Sequence, residues 1–188
     1  MKKKIALTGG PNSGKTTALS VLKETFGPRV ELGKEAATMI FSGGFPRKDG
    51  SPEHVRTAQR IIFFATRQME SLAEESSDAE LIVCDRGTVD AAVYWPEGVE
   101  DFFKHMGTTL DAELARYDAV LHLSPPTNPA FYQSTHVRTE SLDEAFAIDR
   151  KILKIWENHP NRLVVDGKEH FIEKAEIIKN FVEKLIQK

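Results

Sequence analysis

Cysteine is nearly absent from this chain. Cys84 stands alone among 188 residues, which excludes an internal disulfide framework and fits a reducing compartment, so a cytoplasmic protein is expected. Long hydrophobic runs are missing too. No apolar stretch approaches the ~20 residues of a bilayer span. The basic start, Met1 to Lys4, is followed by only Ile5 to Thr8 before Gly9, too short for a secretory core. Positive charge is not in excess: 25 Lys and Arg face 28 Asp and Glu, for a net charge of −3. That balance argues against a dedicated nucleic-acid binder. The six histidines and single cysteine show no metal-ligand spacing, so no structural zinc site is expected. Repeats and low-complexity tracts are absent. Hydrophobic residues make up 40% of the chain, enough for the core of one domain over 1–188.

Against these absences, one stretch is dense with meaning. Gly9-Gly10-Pro11-Asn12-Ser13-Gly14-Lys15-Thr16 matches G-x-x-x-x-G-K-[ST], the phosphate-binding P-loop. Its context fits: the apolar run Ile5 to Thr8 precedes it and a helical pattern from Thr17 to Lys23 follows. In such a loop the glycines let backbone N–H groups face phosphate oxygens, and the helix start adds the positive end of its dipole. Gly10, Pro11, Asn12, Ser13, Gly14, Lys15, Thr16 and Thr17 are the expected nucleotide contacts. Lys15 is expected at the β- and γ-phosphates and Thr16 at Mg²⁺.

Short apolar runs at 4–8, 29–32, 80–84, 118–123 and 162–165 alternate with helical patterns. One helix is expected over 52–75, with Ser51 as cap and Pro52 in its first turn. Its apolar positions are Val55, Ala58, Ile61, Ile62, Ala65, Met69, Leu72 and Ala73. Further helices are expected over 142–157 and about 169–187. Strand and helix in alternation predict a parallel sheet with right-handed crossovers, and ligands in such sheets lie at the carboxyl ends of the strands.

Those ends carry the chemistry-bearing side chains. The second strand runs into Glu35 at a helix start, placed to take a proton from an acceptor hydroxyl or to support Mg²⁺ through water. The third, Leu81-Ile82-Val83-Cys84, ends in Asp85-Arg86-Gly87. Apolar residues followed by Asp resemble a Walker B strand, whose carboxylate supports Mg²⁺. Arg86 is expected beside the site, and Asp90, four residues on, would share its face if a helix began there. Cys84 and His122 read as core residues. After the fourth strand, Ser124 to Pro129 is rich in breakers. The segment beyond it carries Tyr132, His136, Arg138 and Glu140. A lid over about 126–145 is expected there, with Arg138 offsetting phosphoryl charge and Arg150 as a second candidate. Asp166-Gly167-Lys168 could line a base pocket. It is not an N-K-x-D guanine reader, which favours ATP over GTP.

The combination of Gly9–Thr16, Glu35-Ala36-Ala37, Cys84-Asp85-Arg86-Gly87 with Asp90, and Arg138-Thr139-Glu140 resembles the AAA-type ATPase/kinase domains related to the ribosylnicotinamide kinase domain of NadR. More broadly it is similar to the P-loop nucleoside and nucleotide kinases. The resemblance spans nearly the whole chain. It implies a three-layer α/β/α fold with a five-stranded sheet of order 2-3-1-4-5 and a helical lid. It also implies ATP with Mg²⁺ and transfer to a small acceptor contacted by residues 42–56. The D-R-G here departs from the E-R-S or D-R-S of deoxynucleoside kinases, so no deoxynucleoside is assigned. Lys15, Glu35, Asp85, Arg86 and Arg138 are the expected catalytic residues, with Glu35 or Asp85 as base. Thr16 and Asp85 are the expected metal ligands. The expected activity is phosphotransfer from ATP to a small hydroxyl- or phosphate-bearing metabolite. The alternative is a nucleotide-dependent switch or slow ATPase or GTPase that acts through a protein partner.

Overall fold

Five apolar runs become five parallel strands: β1 (Lys3–Thr8), β2 (Val30–Gly33), β3 (Leu81–Asp85), β4 (Ala119–Leu123) and β5 (Arg162–Val165). Their spatial order is β2-β3-β1-β4-β5, as the resemblance implied. The structure is a computed structural model that describes residues 2–46, 50–127, 141–167 and 171–187. Strand β1 sits where the order reverses, with β3 on one side and β4 on the other. Register places Leu7 opposite both Asp85 and Leu121, and Thr8 opposite His122. The carboxyl ends of β1, β3 and β4 are therefore level, at the switch point where open α/β sheets bind ligands.

Period-2 alternation along the strands feeds two cores. Ile5 and Leu7 face one side with Leu22 of α1 (Lys15–Phe26) and with Ile178 and Val182 of α7 (Phe171–Ile186). Ala6, Ile82, Cys84 and Val120 face the other. There they meet α3 (Pro52–Ser76), α4 (Val99–Met106) and α6 (Leu142–Ile155). The result is three layers, α/β/α, as expected. Two short helices, α2 (Ala36–Ser42) and α5 (Leu110–Leu114), complete the α-helices among the described residues. No element is expected between the Asp85-Arg86-Gly87 turn and the strand at 118–123. That stretch holds a 3₁₀ segment, Thr88–Tyr94, together with α4 and α5. Among the described residues no helix is long and apolar enough to cross a membrane.

Helix α3 starts as its caps dictate, with Ser51 Oγ accepting from His54 N at 3.2 Å. Its buried face differs from the apolar pattern. Ala58, Gln59, Phe63 and Glu70 turn inward, while Ile61 and Leu72 are exposed. The reason is a charge cluster beneath the sheet's amino end. Glu70 accepts from Lys4 Nζ at 3.0 Å, Arg116 Nη2 at 2.6 Å and Tyr117 Oη at 2.5 Å. Tyr117 Oη in turn accepts from the Thr88 amide at 2.8 Å. Inward rotation of a carboxylate is favourable only because three donors meet it there.

That difference in burial separates two ion pairs. Glu70→Ala removes the buried carboxylate that Lys4, Arg116 and Tyr117 share, leaving Lys4 only Glu74 and Arg116 only Glu113 among the described residues, and it should destabilise the protein by about 3 kcal/mol. Arg29→Ala breaks an exposed bidentate pair with Glu80, and it should cost about 1 kcal/mol or less. Urea unfolding of both variants at neutral pH checks the contrast; equal losses would refute it.

Candidate active site

The loop between β1 and α1 wraps around one cation. Lys15 Nζ donates to the carbonyls of Gly9 (2.9 Å) and Gly10 (2.8 Å) and to Ser13 Oγ (3.1 Å). Gly14 caps α1 from the left-handed region. Thr16 and Thr17 are exposed in the helix's first turn, and no acidic residue lies there, so the N–H groups and the dipole retain their pull on anions. Pro11 and Ser13 are buried and hold the loop's shape.

Arg86 sits beside this loop in an unusual conformation. Its φ is +76°, a left-handed geometry that costs a non-glycine residue on the order of 1 kcal/mol or more. Its amide donates to Leu7 O at 2.9 Å. Its guanidinium donates from Nε to Glu35 Oε1 at 2.8 Å and from Nη1 to Gly9 O at 3.2 Å, and Asp90 Oδ2 lies 3.5 Å away. The Arg86–Asp90 pair is thus present, but not through one helix. Arg86 precedes the 3₁₀ turn and meets Asp90 because its backbone is flipped. Glu35 is the N-cap residue of α2 and also accepts from Thr38 Oγ1.

The structure brings Lys15, Glu35, Asp85 and Arg86 together around the loop. Arg138 lies outside the described residues, as do Tyr132, His136 and Glu140. Of the expected lid over about 126–145, residues 128–140 lie outside them, and Ser141 to Ala145 form the cap and first turn of α6. Arg150 is exposed on α6. Residues 47–49 of the expected acceptor stretch are likewise outside. A narrow cleft between α3 and the ends of β2 and β3, lined by Gly33, Lys34, Thr66 and Met69, opens on Asp85 and Arg86.

A family model described as an AAA domain matches residues 4–174. The chain belongs to this AAA-domain family. Its fold is also similar to that of deoxyadenosine kinase from M. mycoides, solved with bound dATP. The TM-score is 0.67 at 16% sequence identity, covering 96% of this chain and 99% of that chain. No curated protein matches the chain. A P-loop, nucleoside-kinase-like fold is therefore the frame for this AAA-family site.

Burial sets the electrostatics of that site. It pulls the Lys15 ammonium down to about 7, helped by the Arg86 charge and opposed by Asp85, Glu35 and Asp90. Burial also pushes Asp85 up to about 6, and the neighbouring Glu35 adds to the shift. For Glu35, burial works against ionisation, but Arg86 and Thr38 outweigh it and hold its carboxyl below the usual range. One oxygen of Asp85, Oδ1, is buried without any hydrogen-bond partner. A buried carboxylate oxygen of this kind fits a cation ligand.

Three residues that touch this machinery were not legible as site residues. Asp149 and Trp156 of the α6 region, together with His122 on β4, approach it from beneath. Their only sequence signal was an acidic residue on an otherwise apolar helix face.

Asp85 binds its proton more tightly in the fold (about 6) than at its ordinary value of 3.8. Between those pH values the folded chain holds more protons, so this group's contribution to stability falls as pH rises and stays lost above about 6. Asp85→Asn removes the effect. Relative to wild type, the variant should gain about 2 kcal/mol on going from pH 4 to pH 7. Denaturant titrations in chelator-treated buffer measure this; parallel pH profiles would contradict the raised value.

Proposed function

We propose that this protein is an ATP-dependent phosphotransferase that moves the γ-phosphoryl group to a small hydroxyl- or phosphate-bearing metabolite. The observation that carries the reading is Asp85 Oδ1, buried without a partner beside Lys15 and Arg86. Lys15 and the amides of Asn12, Ser13, Gly14 and Thr17 form the phosphate cradle, while Pro11, which has no N–H, and Gly10, whose amide is held by Asp149, shape the loop. Thr16 and Asp85 would hold Mg²⁺, which neutralises charge between the phosphates when bound. Glu35 is kept ionised by Arg86 and takes the acceptor's proton, since Asp85 is committed to the cation. Arg86, aimed by Glu35, stabilises the charge that spreads over the phosphoryl oxygens, and Arg138 joins it. The deoxyadenosine kinase likeness supports the fold of such an enzyme, and the absence of an N-K-x-D sequence favours adenine. We place the enzyme in the cytoplasm on its lone, buried Cys84.

The experiment is Mg²⁺-dependent ATP consumption with and without a pool of nucleosides, nucleotides and small alcohols. Stimulation by the pool supports phosphotransfer. A slow rate that ignores the pool points instead to a switch. Lys15→Ala should lower kcat/KM by about 10²–10³ while the fold survives; unchanged turnover refutes the site.

Lys15 also links nucleotide binding to pH. Phosphate favours its charged form, so above about 7 binding must take up a proton. Affinity should fall as pH climbs from 7 to 9, by up to about tenfold per pH unit. Calorimetry in buffers of different ionisation heat should show that uptake, and Lys15→Arg should abolish it.

A further inference from the structure

We propose that α6 is a clasp that sets the spacing between the phosphate loop and the Asp85-Arg86-Gly87 turn, with Asp149 and Trp156 as its positioning residues. The proposal rests on the phosphotransferase reading only for its effect on turnover. Ala145, Asp149, Ile152 and Trp156 recur at intervals of four, three and four, a single helical stripe. All four are buried. Asp149 and Trp156 are seven residues apart, about 10 Å along the axis. Each grips a different half of the site.

The first grip is on the loop. Asp149 Oδ1 accepts from the Gly10 amide at 2.7 Å and from His122 Nε2 at 3.0 Å. The carbonyl of the same peptide unit, that of Gly9, accepts from Lys15, so this peptide unit is held at both its polar ends. His122 is fully buried, and its bond to a carboxylate fixes the hydrogen on Nε2. The second grip is on the turn. Trp156 Nε1 donates to Asp90 Oδ1 at 2.6 Å. The other oxygen of Asp90 accepts from Thr8 Oγ1 at 2.5 Å and lies 3.5 Å from Arg86 Nη1. Trp156 therefore aims Asp90, and Asp90 aims both Arg86 and the residue that enters the loop.

The two glycines at the grips fit the same device. A Cβ at Gly10 would lie 2.9 Å from Asp149 Cβ, and one at Gly87 would lie 2.5 Å from Trp156 Cζ2. Neither position has room for a side chain while α6 stays seated. Reacting groups misplaced by about 1 Å can cost about 10²-fold in rate, so a rigid spacer between phosphate and arginine acts directly on catalysis.

The test separates the two grips. With Asp149→Ala, exchange of the Gly10 amide should quicken at least about tenfold and the Kd for a fluorescent ATP analogue should rise at least about fivefold. Asp149→Asn keeps an oxygen for the Gly10 amide, so it should return both to within about twofold of wild type. Trp156→Phe keeps the packing but removes the donor to Asp90. It should lower kcat at least about tenfold while the analogue's Kd moves less than about twofold. If Trp156→Phe does not fold, 3-benzothienyl-alanine at position 156, which keeps the bicyclic ring and lacks only the N–H, replaces it and should show the same split. The clasp is overturned if Asp149→Ala leaves Gly10 exchange and Kd unchanged, or if the Trp156 variant loses Kd and kcat alike. Exchange and Kd need no turnover. A wild type that binds the analogue but phosphorylates no acceptor would end the phosphotransferase reading and leave the loop grip to be judged alone.

Discussion

The buried carboxylate of Asp90 is the joint on which the site depends. Only 2% of the residue is exposed, so in that low-dielectric setting each unmet lone pair would be costly. Its donors come from three separate parts of the chain: Thr8 at the end of β1, Trp156 at the end of α6, and Arg86 just past β3. Strand register had already made those ends level. Asp90 converts that rough alignment into fixed side-chain positions, because moving any one donor leaves a desolvated charge with an incomplete shell.

Around that joint, one cation and one carboxylate are placed at a disadvantage. Lys15 is pulled toward neutrality and Asp85 toward protonation, and both shifts have burial as their largest cause. Arg86 is retained in a left-handed backbone conformation. Such arrangements lower the stability of the free protein, and they persist where a ligand gains from them. A polyanion with its counter-cation would meet both deficits at once: phosphate oxygens would restore the charge on Lys15, and the cation would satisfy Asp85. The salt-bridged Glu35–Arg86 pair is different. It is complete without a ligand, which makes it the fixed wall against which the other groups are set.

Much of the fold was legible in the sequence because its signals are local. The five apolar runs, the loop motif and the capped start of α3 each depend on neighbours within a few residues. The candidate site was legible to the same extent: Lys15, Glu35, Asp85 and Arg86 follow strand ends, and strand ends converge. What escaped was set by contacts distant in sequence. The inward turn of α3 around Glu70 depends on Lys4 and Arg116, so Ile61 and Leu72 gave a misleading stripe. The short helices of 88–118 carry too little periodicity to stand out. Asp149 looks like any polar residue on a helix until Gly10, 139 positions earlier, is brought against it.

The glycine of Asp85-Arg86-Gly87 shows how such a distant contact can rewrite a motif. The D-R-S form, from which this turn departs, would put serine at that place. Serine needs a Cβ, and here a Cβ would sit 2.5 Å from Cζ2 and 2.7 Å from Cη2 of Trp156. Those are ring atoms of a fully buried indole whose nitrogen is bound to Asp90, so the ring cannot swing aside without abandoning that carboxylate. Glycine at 87 and tryptophan at 156 are therefore one choice rather than two. A chain with serine in the turn must fill the space beneath it with a smaller group and aim its acidic residue by some other donor.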